Sequence, residues 1–366
     1  MKLFIQFIFI FSLLFSISCK KGPEENSTSS NEEKKEADVP KNIIFMVGDG
    51  MGLSQITAGM IGNNNKLNLE EFKHIGLIKT TSTSGLITDS AAGATAFSTG
   101  KKTYNGAIGV DNDTTSVETV LEIAGNGKYA TGIIATSSIT HATPASFYAH
   151  KPSRSMDEAI AMDMLSAPVD FFIGGGKDFF NKRQDELNLL DSLSDKGYRI
   201  FDDVDSVSAP YEDKIAVFIA AKQPESILQG RRDILPRATK LAFDYFSNKE
   251  NFFLHIEGSQ IDWAGHDNDS EGIIAEMIDF DQAIGEVLEF AKQDGNTLVI
   301  ITADHETGGY SIVGGNDGEN IEGIFSTDYH TGTMVPVFAY GPGAENFTGI
   351  YENTAIFDKI LKLLDR

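Results

Sequence analysis

Along the chain, short runs of apolar and β-branched residues alternate with longer stretches whose apolar positions follow a helical period. The short runs predict buried strands at residues 43–47, 131–136, 170–173, 215–220, 252–257, 297–302 and 336–340. The longer stretches predict helices at 90–99, 117–124, 156–165, 238–246, 271–291 and 354–364. Strands that are apolar throughout must be covered on both sides. The pattern therefore predicts an α/β fold, with a mainly parallel central sheet and helices on both faces. No linker-like composition interrupts residues 41–366, so these are expected to form a single domain.

The N-terminus has a different pattern. "MKLFIQFIFIFSLLFSISC" has a basic start, an apolar run over residues 3–17, and small Ser18 before Cys19. This predicts an export signal over residues 1–18. A signal that ends in cysteine resembles those of bacterial lipoproteins, which implies a lipid on Cys19 and a periplasmic or outer-membrane-anchored protein. Ser16 stands where such signals usually carry Leu. Plain secretion and an uncleaved anchor are the other readings, although the run is shorter than the ~20 residues of a spanning helix. Cys19 is the only cysteine, so no intrachain disulfide can form. Residues 19–40 are polar and too poor in apolar side chains to fold alone, and are expected to act as a flexible tether.

A formal net charge of −23 argues against a nucleic-acid partner and against adsorption to anionic membranes, leaving a lipid anchor as the only expected membrane contact. It also repels anionic substrates at long range, so a phosphate-type ligand would need concentrated local positive charge.

In parallel α/β sheets, ligands bind just beyond the carboxyl ends of the strands. Four predicted strands lead there into groups that can ligate metals: Asp49; His141 and Thr143; Glu257 with Asp262 and His266; and Asp304 with His305. One such aspartate is an ordinary turn residue. Four strands delivering carboxylates and imidazoles to one edge make a metal-ligand inventory, since zinc takes both and magnesium takes oxygen. Asp262 and His266 are four residues apart and would share one helical face. His330 lies just before the strand at 336–340, and the chain has only 7 histidines. "GLITDSAAGATAFSTG" adds an Asp89–Ser90 pair at the head of a helix of small residues. Capping alone explains such a pair, and so does an anion bound at the helix N-terminus.

"MVGDGMG", "TDSAAGATAFSTG", "THATPASFYAH", "EGSQIDWAGHDND", "TADHETGG" and "HTGTMVPVFAYGPG" together resemble the ordered motifs of the alkaline phosphatases, from about residue 41 to the C-terminus. The resemblance implies hydrolysis of phosphate monoesters through a phosphoserine on Ser90. It implies two Zn2+ and one Mg2+: Asp262, His266 and His330 for the first zinc; Asp49, Asp304 and His305 for the second; and Asp49, Thr143 and Glu257 for magnesium. Arg154 matches the arginine that grips phosphate. The residue chemistry is compatible: a serine hydroxyl needs a base or a metal to attack near neutrality, and a planar guanidinium suits bidentate phosphate contact. His141 stands where some bacterial members carry Asp, and is expected to act on the site without ligating. Trp263 stands where some carry Lys, and either lines the substrate pocket or packs.

His255, His150 and His74 read as a core, a bracing and a surface residue, and "GGGKDFF" lacks the spacing of a phosphate loop. Only 25 positions separate His305 from His330. Larger relatives carry insertions there that often build dimer contacts, so a homodimer stays open. Two other functions stay open beside the phosphomonoesterase. One is a related metal-dependent hydrolase of diesters, sulfate esters or phosphonates. The other is an exported phosphate- or zinc-binding lipoprotein without turnover.

Overall fold

Residues 39–316 and 320–364 are described in the computed structural model. The expected signal, Cys19 and nearly all of the tether lie outside them. The strands are β1 Asn42–Gly48, β2 His74–Lys79, β3 Ala130–Ser138, β4 Phe171–Gly175, β5 Tyr198–Phe201, β6 Lys214–Phe218, β7 Phe252–Gly258, β8 Thr297–Thr302, β9 Glu306–Thr307, β10 Ser311–Asn316, β11 Asn320–Ile324, β12 His330–Thr331, β13 Val335–Tyr340 and β14 Gly349–Glu352. Ten of them form one sheet in the order β14-β2-β13-β8-β1-β7-β3-β4-β6-β5. Only β13 runs antiparallel to its neighbours β2 and β8. Two small ribbons, β10 with β11 and β12 with β9, stand apart from it.

Alternation along β1 shows how both faces are covered. Phe45 meets Phe97 of helix Ser90–Thr99 on one face, with ring centroids 5.4 Å apart. Gly48, three residues on, faces Phe280 of helix Ser270–Asp294 on the other. β1, β7, β8 and β13 are almost entirely buried, as the unbroken apolar runs require. Among the described residues no helix is long and apolar enough to cross a membrane.

All seven expected strands form, with ends shifted by a residue or two. β2, β5 and β14 were not expected: they are four to six residues long, only partly buried, and lie at or next to the sheet edges, where the apolar signal thins. The helix expected at 117–124 begins at Val120 instead, because Thr119 and Glu122 form a capping box that sets its start. The helix expected from 238 begins at Ile234, since Pro236 falls in the first turn, where its missing N–H breaks no helical hydrogen bond.

Candidate active site

β8, β1, β7 and β3 are consecutive neighbours in the sheet, so the segments leaving their carboxyl ends gather at one edge. Asp49 comes directly after β1, Glu257 is near the end of β7, Asp262 and His266 lie on helix Gln260–His266 just beyond it, and Asp304 and His305 come just after β8. His141 and Thr143 stand beyond β3 at helix Ala142–Ala145. Ribbon β12 brings His330 alongside Thr307 of β9. The main chain approaches closely to allow this. Gly50 has φ +73, and a Cβ there would stand 2.7 Å from the Thr307 hydroxyl oxygen.

Three sets of donor atoms lie within 4.8 Å of one another: Asp262, His305 and His330; Asp49, Asp304 and His305; and Asp49, His141 and Glu257. His266 joins the first set, with its Nε2 3.0 Å from His330 Nε2 and 3.4 Å from Asp262 Oδ2. The family resemblance implies that Thr143 stands beside Asp49 and Glu257 and that His141 stays apart. The structure puts His141 in that set, its Nδ1 buried without a partner, and Thr143 buried close enough to Glu257 to favour its charged form.

This cluster is poorly satisfied by the protein alone. Both oxygens of Asp49, Asp304 Oδ2, Glu257 Oε1 and Thr143 Oγ1 are buried without a hydrogen-bond partner. Burial, then Asp304, Asp262 and Glu257, push the Asp49 carboxyl well above its ordinary range. Burial also raises Glu257 to about 7, against hydrogen bonds from Ser259 at 2.5 Å and Ser137 at 3.1 Å. Burial opposes ionisation of Asp262, but His266 and His330 outweigh it and hold the carboxyl well below its usual range. The hydrogen bond to Asp262 lifts His266 to about 9. Buried carboxylates with empty lone pairs and mutual repulsion are what a divalent cation relieves.

The imidazoles are oriented for the same purpose. His266 Nδ1–H donates to the Asp328 carbonyl at 2.7 Å, and His330 Nδ1–H to the Thr88 carbonyl at 2.8 Å. In neutral rings this leaves both Nε2 lone pairs facing one point, the arrangement of metal-ligating histidines. The donor atoms thus fit metal ions in number, type and direction.

Ser90 is the first residue of its helix, almost fully buried, with Oγ 3.3 Å from His305 Nε2. Asp89 caps the helix through Oδ1, which accepts the Ala92 N–H at 3.0 Å. Its Oδ2 accepts the Gly106 N–H at 3.0 Å and Arg154 Nη1 at 3.1 Å. Burial works against the Arg154 cation, but Asp89 and then Asp49 outweigh it and raise its pKa. Arg154 Nη2 lies 3.2 Å from His141 Nε2, and burial, reinforced by the Arg154 charge, lowers His141 to about 3, so that ring is neutral. Trp263, half-buried, meets the His141 ring edge-on at 5.8 Å. A helix N-terminus, a serine and a guanidinium therefore lie beside the donor cluster.

A family model described as alkaline phosphatase matches residues 40–324. The chain belongs to the alkaline phosphatase family. Alkaline phosphatase 3 of Bacillus subtilis is 36% identical over 96% of this chain and 95% of its own length. The Escherichia coli alkaline phosphatase is 31% identical over 87% of this chain and 84% of its own. The solved alkaline phosphatase of the Antarctic bacterium TAB5 superposes with a TM-score of 0.85 at 46% identity, covering 90% of this chain and 99% of that one. One structure of that protein, a histidine-to-glutamate variant, holds Mg in a site called M3. Membership in the alkaline phosphatase family implies phosphomonoester hydrolysis and dependence on metals.

Four residues shape the site in ways the sequence does not signal, although Asp89 is readable as a helix cap. Asp89 orients Arg154. Thr307 contacts Asp262 and His305, and Glu306 and Gln55 hold the ribbon that carries Thr307. Glu306 and Thr307 sit within the quoted "TADHETGG", directly after two expected ligands. The remaining histidines fall outside the site. His255 stacks on Phe147 at 4.0 Å, His150 bonds Gly109 and Glu122, and His74 lies half-buried on β2.

Proposed function

We propose that this chain hydrolyses phosphate monoesters to an alcohol and inorganic phosphate through a phosphoserine on Ser90, using two zinc ions and one magnesium ion. The observation that carries the reading is Ser90 Oγ at 3.3 Å from His305 Nε2, on a ring common to two donor sets. Asp262, His266 and His330 would hold one zinc, and Asp49, Asp304 and His305 the other. Asp49, Glu257 and Thr143 would hold magnesium through oxygen, with His141 beside them. Such ions, when bound, supply Lewis-acid stabilisation of the attacking and leaving oxygens and lower the pKa of bound water to about 7.

The chain's own residues set the rest. Ser90 Oγ forms the new bond to phosphorus while the bond to the leaving alcohol breaks. Water then attacks the same phosphorus as the Ser90 Oγ–P bond breaks; phosphate departs, and a proton of that water returns to Oγ in place of the one the leaving alcohol took up. Arg154, fixed by Asp89, offers two N–H groups to the non-bridging oxygens, and the N-terminus of the Ser90 helix adds its dipole. Together they supply the local positive field that a net charge of −23 otherwise denies. Trp263 forms part of the wall around the ester.

Export with a lipid on Cys19 belongs to the same reading; fatty-acid labelling that persists in Cys19→Ala would count against it. For the activity, metal content and phosphate release are measured together before and after chelation. Loss of both, and recovery with zinc plus magnesium, is expected. Full activity in metal-free protein, or a diester or sulfate ester turned over faster than p-nitrophenyl phosphate, would overturn the reading.

A further inference from the structure

Between the two expected zinc sets lies a hydroxyl that belongs to neither. Thr307 Oγ1 is 2.5 Å from Asp262 Oδ1 and 3.2 Å from His305 Nδ1. Thr307 is fully buried, so no solvent competes for these bonds. A hydroxyl has one hydrogen to give, and an ionised carboxylate can only accept. The Thr307 proton therefore goes to Asp262, and its oxygen is left to accept from His305 Nδ1–H. That places the lone pair of a neutral His305 on Nε2, the atom facing Ser90, Asp304 and Asp49. For His266 and His330 a backbone carbonyl does the same work; His305 has this side chain instead.

The position of that hydroxyl is itself enforced. Glu306, 6% exposed, accepts Gln55 Nε2 at 2.8 Å and the Tyr310 N–H at 3.0 Å on one oxygen. On the other it accepts the Gly309 N–H at 3.2 Å and the Thr331 hydroxyl. Gln55 also donates to the Thr307 carbonyl at 2.7 Å. This clamp ties β9 to β12, the strand of His330, and to helix Leu53–Gly62.

We infer that Thr307 is a positioning residue that couples the two zinc sets, fixing the tautomer of His305 and one oxygen of Asp262 through a single hydroxyl. The inference rests on the zinc reading proposed above.

The test uses metal-stripped full-length protein, zinc as the probe and competition with a chelator as the readout, without substrate. Thr307→Val removes the hydroxyl at nearly constant shape. Thr307→Ala removes it without steric burden should the valine variant not fold, and Thr307→Ser restores it. Removal is expected to weaken zinc binding by about 10–100-fold, as loss of a partner behind a metal ligand does. The serine variant should stay near the unsubstituted protein. Zinc binding in the valine or alanine variant equal to that of the unsubstituted protein would overturn the inference and leave the zinc reading standing. A serine variant as weak as alanine would also overturn it, because packing and not the hydroxyl would then be the cause. Absence of tight zinc in the unsubstituted protein would remove the zinc reading itself, and this inference with it.

Discussion

At the scale of residues, Asp89 does two jobs with its two carboxylate oxygens. One caps the helix of Ser90 and the other aims Arg154. Asp89→Asn can keep the cap through its amide oxygen while giving up the ion pair. Initial-rate kinetics should show KM for a phosphate monoester raised about tenfold, the scale of a lost charged hydrogen bond, with a smaller change in kcat. An unchanged KM would mean that Arg154 is held by other contacts. Asp49, Asp262, Asp304, His266, His305 and His330 are legible in the sequence because several strands lead into such groups together, Ser90 because it heads a helix of small residues, and the roles of all of them come from the family resemblance. Asp89 is legible only as a cap, because its second partner lies 65 residues away and no local pattern encodes that pairing. His141 is harder still. Whether it belongs beside Asp49 or behind it depends on a ring direction that only the packed loop decides.

At the scale of elements, the helix of small residues is the clearest meeting of pattern and function. Every residue of Ser90–Thr99 is buried. A Cβ on Gly93 would stand 3.0 Å from Asp304 Cβ and 3.4 Å from its carbonyl oxygen. The bare surface thus lets a helix N-terminus and a ligand loop touch. Gly93→Val should push the two apart, with zinc affinity and kcat both falling while circular dichroism keeps its native shape. Native metal binding in that variant would show that the approach is looser than its geometry. The helix's extent is readable from Asp89 at its head and Gly100, with φ +71, at its end. Buried strands are readable from unbroken apolar runs. The edge strands β2, β5 and β14 and the two-residue ribbon β9–β12 are not, since pairing across the chain defines them and composition does not.

At the scale of the whole molecule, the sheet order does what no motif can: it makes the four ligand-bearing strands neighbours. The same burial creates a pH liability. His255 is wholly buried, its Nε2 without a partner, and burial lowers its pKa from 6.5 to about 3. The unfolded chain takes up that proton more readily than the folded one. The stability linked to His255 is therefore complete above pH 6.5 and is lost as pH falls from 6.5 towards 3. His255→Phe keeps a ring against Phe147, so urea midpoints should fall less steeply across that window than in the unsubstituted protein. Parallel slopes would assign the acid sensitivity to other groups.

The central claim is that a phosphoryl group passes through the Ser90 oxygen. Its most direct test is to incubate metal-loaded protein with phosphorus-labelled monoester, quench in acid and map the label by mass spectrometry. The account predicts label on Ser90, and none in Ser90→Ala, which should keep its metals but lose activity by on the order of 10³-fold or more. Label on a histidine, or undiminished turnover by Ser90→Ala, would contradict it.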